Sequence, residues 1–164
     1  MKFNDIKEYN LWRNGIGRNG EEVRRLVYDF YDSVEFDSIQ LIEGAKETIE
    51  KLSLGRVVYV ITTRLIRLRG KTEKFFQKFF RGKIRDVVYS GDFCREQGPK
   101  KGEIYKRLGA LGIVEDNLKC VVDCAESGTR VFLFDKPWNQ ESVNGGIVRV
   151  LGWNNILQIL ESEK

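Results

Sequence analysis

Arg56-Val57-Val58-Tyr59-Val60-Ile61-Thr62 is an apolar, β-branched run that stops on a hydroxyl. Without polar alternation, such a run reads as a strand buried on both faces, the kind found in parallel sheets. Its neighbours agree. Upstream, Ile42, Ala45, Ile49 and Leu52 recur at helical spacing, and downstream a second amphipathic helix carries Phe75, Phe76, Phe79 and Phe80 on one face. A strand over Ile84–Tyr89 follows, then a helix over Gly102–Leu108 and a short strand ending at Ile113-Val114. A helix over Asn117–Glu126, strands over Arg130–Phe134 and Ile147–Leu151, and a closing helix from about Asn154 complete the pattern. Strands alternating with helices predict an α/β fold, a Rossmann-like parallel sheet with helices on both faces.

Residues 1 to about 35 read as helical with Gly-rich punctuation. Asn19 can cap a helix, and Glu22 three residues on gives a capping-box-like start. Leu26, Val27, Phe30 and Tyr31 then recur at helical spacing. Gly15-Ile16-Gly17-Arg18-Asn19-Gly20 matches G-x-G-x-x-G. A dinucleotide site also needs a buried strand immediately before it, and Asn10-Leu11-Trp12-Arg13-Asn14 is not one. The glycines are read as turn formers.

The chain has 164 residues, a net charge of +4 and no histidine. Without histidine, Ser-His-Asp and Cys-His catalysis and His-ligated metals are excluded. Chemistry falls to carboxylates, Lys, Arg, hydroxyls and a metal held by oxygen. Three cysteines, Cys94, Cys120 and Cys124, are too few and odd in number for a disulfide framework, and they read as small core residues. No apolar run approaches the roughly 18 residues of a membrane span. Met1-Lys2-Phe3-Asn4-Asp5 is too polar for a signal peptide, so the expected location is cytoplasmic. From Arg56 to Arg85 ten Lys/Arg face one acid, Glu73. The phenylalanines of that stretch share one helix face and so read as core rather than base-stacking platforms, which argues against a nucleic-acid partner.

In open α/β sheets ligands bind where the strands stop. At one strand end stand Thr62, Thr63 and Arg64, a hydroxyl and a cation suited to phosphate. Lys100 and Lys101 enter a helix whose N-terminus favours anions. Glu115 and Asp116 leave a short apolar strand as an acidic pair suited to Mg²⁺, although Asp116 or Asn117 could instead serve as the N-cap of the next helix.

Hydroxyl, lysine and acidic pair, in that order, resemble the haloacid dehalogenase superfamily, in its branch of 5′-nucleotidase-like phosphatases. The second family motif falls on Thr62, the third on Lys101 with Lys100 possible, and the fourth on Glu115 and Asp116. Leu41-Ile42-Glu43-Gly44-Ala45 and Val131-Phe132-Leu133-Phe134-Asp135-Lys136-Pro137-Trp138-Asn139 add to the likeness. The resemblance implies Mg²⁺, a phosphorylated small molecule or nucleotide as substrate, and phosphomonoester hydrolysis.

It also implies a first strand ending Asp-x-Asp, which supplies nucleophile and general acid/base. No Asp-x-Asp occurs in the 164 residues. The expectation is therefore a core over 41–164 whose first central strand is missing, preceded by a small helical cap remnant over 1–40. Such a chain is a phosphatase scaffold that does not turn over, with Mg²⁺ weakly held; the alternative is a non-catalytic descendant that binds phosphate, a nucleotide or a protein. By resemblance the missing strand lies between those ending at Thr62 and Val114. The gap would be filled by self-association, by a strand-donating partner, or by direct pairing of the two strands.

Overall fold

The computed structural model describes residues 2–91, 101–126 and 128–163. In chain order the elements are α1 Gly20–Asp32, α2 Val34–Asp37, α3 Ala45–Leu52, β1 Tyr59–Thr62, α4 Arg69–Phe80 and β2 Asp86–Tyr89. They continue with α5 Lys101–Leu108, β3 Gly112–Glu115, α6 Leu118–Ala125, β4 Arg130–Phe134, β5 Ile147–Val150 and α7 Trp153–Ser162. Two 3-10 turns, Phe3–Asp5 and Leu11–Asn14, precede α1, and one, Ile66–Leu68, precedes α4. Every strand pair is parallel, and the fold is a Rossmann-like α/β arrangement.

Two compact units form, one from Met1–Ser33 with Tyr105–Leu151, the other from Val34–Ile104 with Gly152–Lys164. In the first, β4 is central, with β3 on one side and β5 on the other. The apolar run Val131–Phe134 is buried throughout because it is hydrogen-bonded on both edges and covered by α6. Val121 and Cys124, one turn apart on α6, are fully buried, which makes Cys124 a core residue. Fully burying each such side chain contributes about 1.5–3 kcal/mol. Asn19 caps α1, accepting from the Glu21 and Glu22 amides at 3.1 and 3.0 Å. Glu22 does not close the expected box on Asn19. Its carboxylate reaches one residue further back, to the Arg18 amide at 2.7 Å and the Arg18 side chain at 3.0 Å. The Arg18 side chain, and next its amide, hold the Glu22 carboxyl below the usual range. Of the apolar stripe on α1, Val23 is buried while Leu26 and Phe30 point outward. A 3-10 turn over Leu11–Asn14, not a strand, precedes the G-x-G-x-x-G segment.

In the second unit β1 pairs with β2, Tyr59 opposite Asp86 and Thr62 opposite Tyr89. Regular pairing begins later than the apolar run suggests. Arg56 and Val57 stay outside the strand, with Val57 exposed, and the first rung is the Arg85 amide on the Val58 carbonyl at 2.8 Å. Along α4, Phe80 is buried and Phe75 lies 4.9 Å from Phe79 and 5.4 Å from Phe76, ring edge to ring face. The rings pack on one another, with Phe80 buried and Phe75, Phe76 and Phe79 half-buried.

Ile42 was expected to belong to the helix continued by Ala45, yet the helix begins at Ala45 and Ile42 is exposed. The break is Gly44, at φ +75°, where a Cβ would sit 2.6 Å from the Asn154 Oδ1 of α7. Thr48, fully buried on α3, donates to the Trp153 carbonyl at 3.2 Å and ties the same two helices together. Gly44→Ala is expected to lower stability by about 1–2 kcal/mol from the left-handed backbone alone, and more from the collision. A chemical-denaturation midpoint that does not move would contradict this.

Candidate functional site

At the end of β1 the backbone is tied before it turns. The Thr62 carbonyl accepts the Ser90 amide at 2.8 Å and the Ser90 hydroxyl at 3.2 Å. Ser90 is buried at the end of β2, so the two strands are fastened at their exit. The Thr62 hydroxyl oxygen accepts the Arg64 amide at 3.2 Å. That bond uses an acceptor lone pair and leaves the hydroxyl proton as a donor, which is the role a phosphate oxygen requires. Thr63 and Arg64 follow, half-buried. The Arg64 guanidinium lies 5.0 Å from the ring centre of buried Phe36, and the Lys71 ammonium 5.6 Å from the same ring. Lys71 also pairs with Asp37 at 3.1 Å. Stacking on an aromatic face helps hold a guanidinium in place.

Lys101 is the first residue of α5 and is half-buried. Lys100 lies outside the described residues.

The acidic pair sits at the end of β3 in the other unit, and the structure gives its two members different work. Glu115 still belongs to the strand, is 7% exposed, and turns its Oε1 back to accept the Asp116 amide at 3.0 Å and the Asn117 amide at 3.3 Å. Asn117 caps α6, its Oδ1 accepting the Cys120 amide at 3.1 Å. Of the two readings left open for this stretch, the cap falls to Asn117, and Asp116 is not needed for it.

Asp116 thus follows the strand end in a turn that Glu115 shapes. Hard oxygen donors fit Mg²⁺, which is commonly held by one or two carboxylates together with phosphate and water. The set is small. Among the described residues no group of three or more Cys, Asp or Glu comes together. Phosphate oxygens and water would have to fill most of the coordination shell.

Glu115 also bears on Tyr105 of α5. Burial pushes the Tyr105 phenol well up, and the negative charges of Glu115, then Cys120 and Cys124, add to it. A phenol that resists ionisation in the fold but ionises normally near pH 10 when unfolded makes stability fall as pH rises above that value. Tyr105→Phe is expected to flatten the alkaline side of the stability curve, read as melting temperature between about pH 9 and 11. An unchanged alkaline slope would contradict it.

The sequence marked Asn139 only as the end of the Val131–Asn139 run and gave it no role of its own. Its side chain is fully buried and fully used. Nδ2 donates to the Phe134 and Asp116 carbonyls, both at 2.8 Å. Oδ1 accepts the Lys136 amide at 3.1 Å and Arg149 Nη1 at 2.9 Å. Arg149, on β5, also reaches Asp135 Oδ1 at 3.1 Å and the carbonyls of Asn139 and Glu141 at 2.8 and 2.9 Å. From Asp135 to Asn139 the run is therefore a loop tied to the ends of β3, β4 and β5.

Comparison with known proteins gives one distant likeness. No protein-family profile matches the chain. A nucleotidase of Clostridium acetobutylicum is 22% identical over 136 residues, which span 81% of this chain and 67% of that protein. No solved structure matches. Among the described residues no helix is long and apolar enough to cross a membrane.

Proposed function

We propose that this chain is a phosphohydrolase scaffold of the haloacid dehalogenase, 5′-nucleotidase-like kind, which binds a phosphomonoester, such as a nucleotide, with Mg²⁺ but does not hydrolyse it. Thr62, Thr63, Arg64 and Lys101, with Lys100, engage the phosphate. Asp116 holds the cation, and Glu115 holds the turn that presents it. Residues 1–40 serve as a small helical cap on a core of 41–164.

The observation that favours this reading most is the acidic turn at the strand exit, where Glu115 accepts the Asp116 and Asn117 amides and Asn117 caps α6. The hydroxyl of Thr62 and the distant nucleotidase likeness support it. Against turnover stands the carboxylate inventory. Asp135, at the end of β4, is the other acid at a described strand exit, and it is bound to Arg149 and Gln140. Inorganic phosphate and Mg²⁺ together are expected to raise the melting temperature, through preferential binding to the folded state. If they leave it unmoved, the ligand-binding reading fails.

Among the described residues β1 is paired on one side only, by β2, and β3 on one side only, by β4. Open ladders invite pairing with another strand. They favour self-association, a second copy of this chain being the simplest source of a strand. A strict monomer at high concentration in light scattering would count against it.

A further inference from the structure

We infer that the end of the β1–β2 sheet where its strands begin is a contact surface for an anionic lipid membrane. This goes beyond the phosphate reading and uses none of its residues. The backbone brings two segments together there. The Arg85 amide donates to the Val58 carbonyl at 2.8 Å, so the stretch before β1 runs beside the stretch before β2. Helix α4 ends at Phe80, and the chain turns through Gly82, at φ +71°, with the Lys83 amide on the Phe80 carbonyl at 2.8 Å. Arg56, Arg81, Lys83 and Arg85 are thereby gathered where the strands enter, opposite the end that carries Thr62 and Ser90.

Over residues 54–58 and 78–86 the sequence has five cations, Lys78 being the fifth, and one acid, Asp86. Asp86 turns its Oδ1 to the Val87 amide at 2.8 Å. Among the described residues none of Arg56, Arg81, Lys83 and Arg85 forms an ion pair. A helix C-terminus favours a cation, and Lys78, in the last turn of α4, already supplies one. The other four exceed that need. Leu54 and Val57, on either side of Arg56, are 82% and 58% exposed. The combination selects the partner. A nucleic-acid backbone would meet the charges but gives aliphatic side chains nothing to enter. An acidic peptide is held in a groove, and side chains this exposed line none. An anionic bilayer takes both, with headgroup phosphates at the cations and the aliphatic side chains at the acyl boundary. Such contact is made at the membrane surface and calls for no spanning helix.

Sedimentation of the full chain with vesicles tests this, phosphatidylcholine alone against phosphatidylcholine mixed with phosphatidylglycerol in equal parts. At low salt the chain is expected to pellet with the mixed vesicles only, and high salt is expected to release it. Arg81→Gln combined with Lys83→Gln should weaken vesicle binding roughly twentyfold, at about fivefold per cation. Lys46→Gln combined with Lys119→Gln removes the same charge from exposed sites in the first turns of α3 and α6, and should change binding by no more than about twofold. Leu54→Ser combined with Val57→Ser should weaken vesicle binding several-fold while leaving retention on heparin unchanged. No binding to the mixed vesicles, equal binding to the neutral ones, or an equal loss in the charge-matched control would overturn the inference. So would unaltered vesicle binding in the Leu54 and Val57 variant, which would make this surface a site for polyanions in general.

Discussion

Incubated with a generic phosphomonoester and Mg²⁺, this chain is expected to release no phosphate above the uncatalysed background. The reason is a count of carboxylates. Hydrolysis through an aspartyl-phosphate needs an attacking carboxylate, a second group to move the proton, and ligands for the cation, all at one place. The sequence contains no Asp-x-Asp. The end of β1 offers Thr62, Thr63 and Arg64 and no acid. At the end of β3, Glu115 is committed to two backbone amides. Asp116 is the other acid there, and one carboxylate cannot be both the attacking group and the group that moves the proton. Losing a catalytic group that works as a unit costs roughly a millionfold. Phosphate release that scales with protein and disappears in Asp116→Asn would show that an acid has been assigned the wrong role.

Asn139→Ala is expected to be the most damaging single substitution in the unit that holds β3, β4 and β5. Truncation strands the Phe134 and Asp116 carbonyls and the Lys136 amide, and takes one of four contacts from Arg149. A buried polar group left without its partner costs roughly 1–3 kcal/mol. Some relaxation and water entry will offset part of this, so a net loss of about 3–5 kcal/mol is expected. In a chain of this size that lowers the melting temperature by roughly 10 °C. Gln140→Ala, beside it but exposed, should cost no more than about 0.5 kcal/mol. Equal effects from the two would mean that the buried knot adds nothing beyond an ordinary surface loop.

The parts of the fold legible in sequence were those dictated by short-range pattern. Val131–Phe134 is apolar without a break, and it is the strand enclosed on both sides. Asn19 and Asn117 advertised helix starts, and both cap them through their side chains. Misreadings came where a local pattern was outweighed by something else. Val57 looked like strand but lies before the first β1–β2 rung, so its composition had no ladder to join. Ile42 fitted the helical period, but the left-handed Gly44 starts the helix after it.

At the candidate site, residue types were legible and their division of work was not. Glu115 and Asp116 are adjacent acids in sequence, and only burial separates the one that faces backbone amides from the other. Asn139 acts on Asp116, 23 residues away, and through Arg149, ten residues further on. No periodicity encodes such contacts, because they depend on β3, β4 and β5 lying side by side.

The most direct test of the account is calorimetric titration of a nucleoside monophosphate into the chain, with and without Mg²⁺, with free phosphate assayed in the same cell afterwards. The account predicts saturable binding that Mg²⁺ strengthens, loss of the Mg²⁺ effect in Asp116→Asn, and no phosphate released. Binding indifferent to Mg²⁺, no binding at all, or phosphate accumulating in the cell would contradict it.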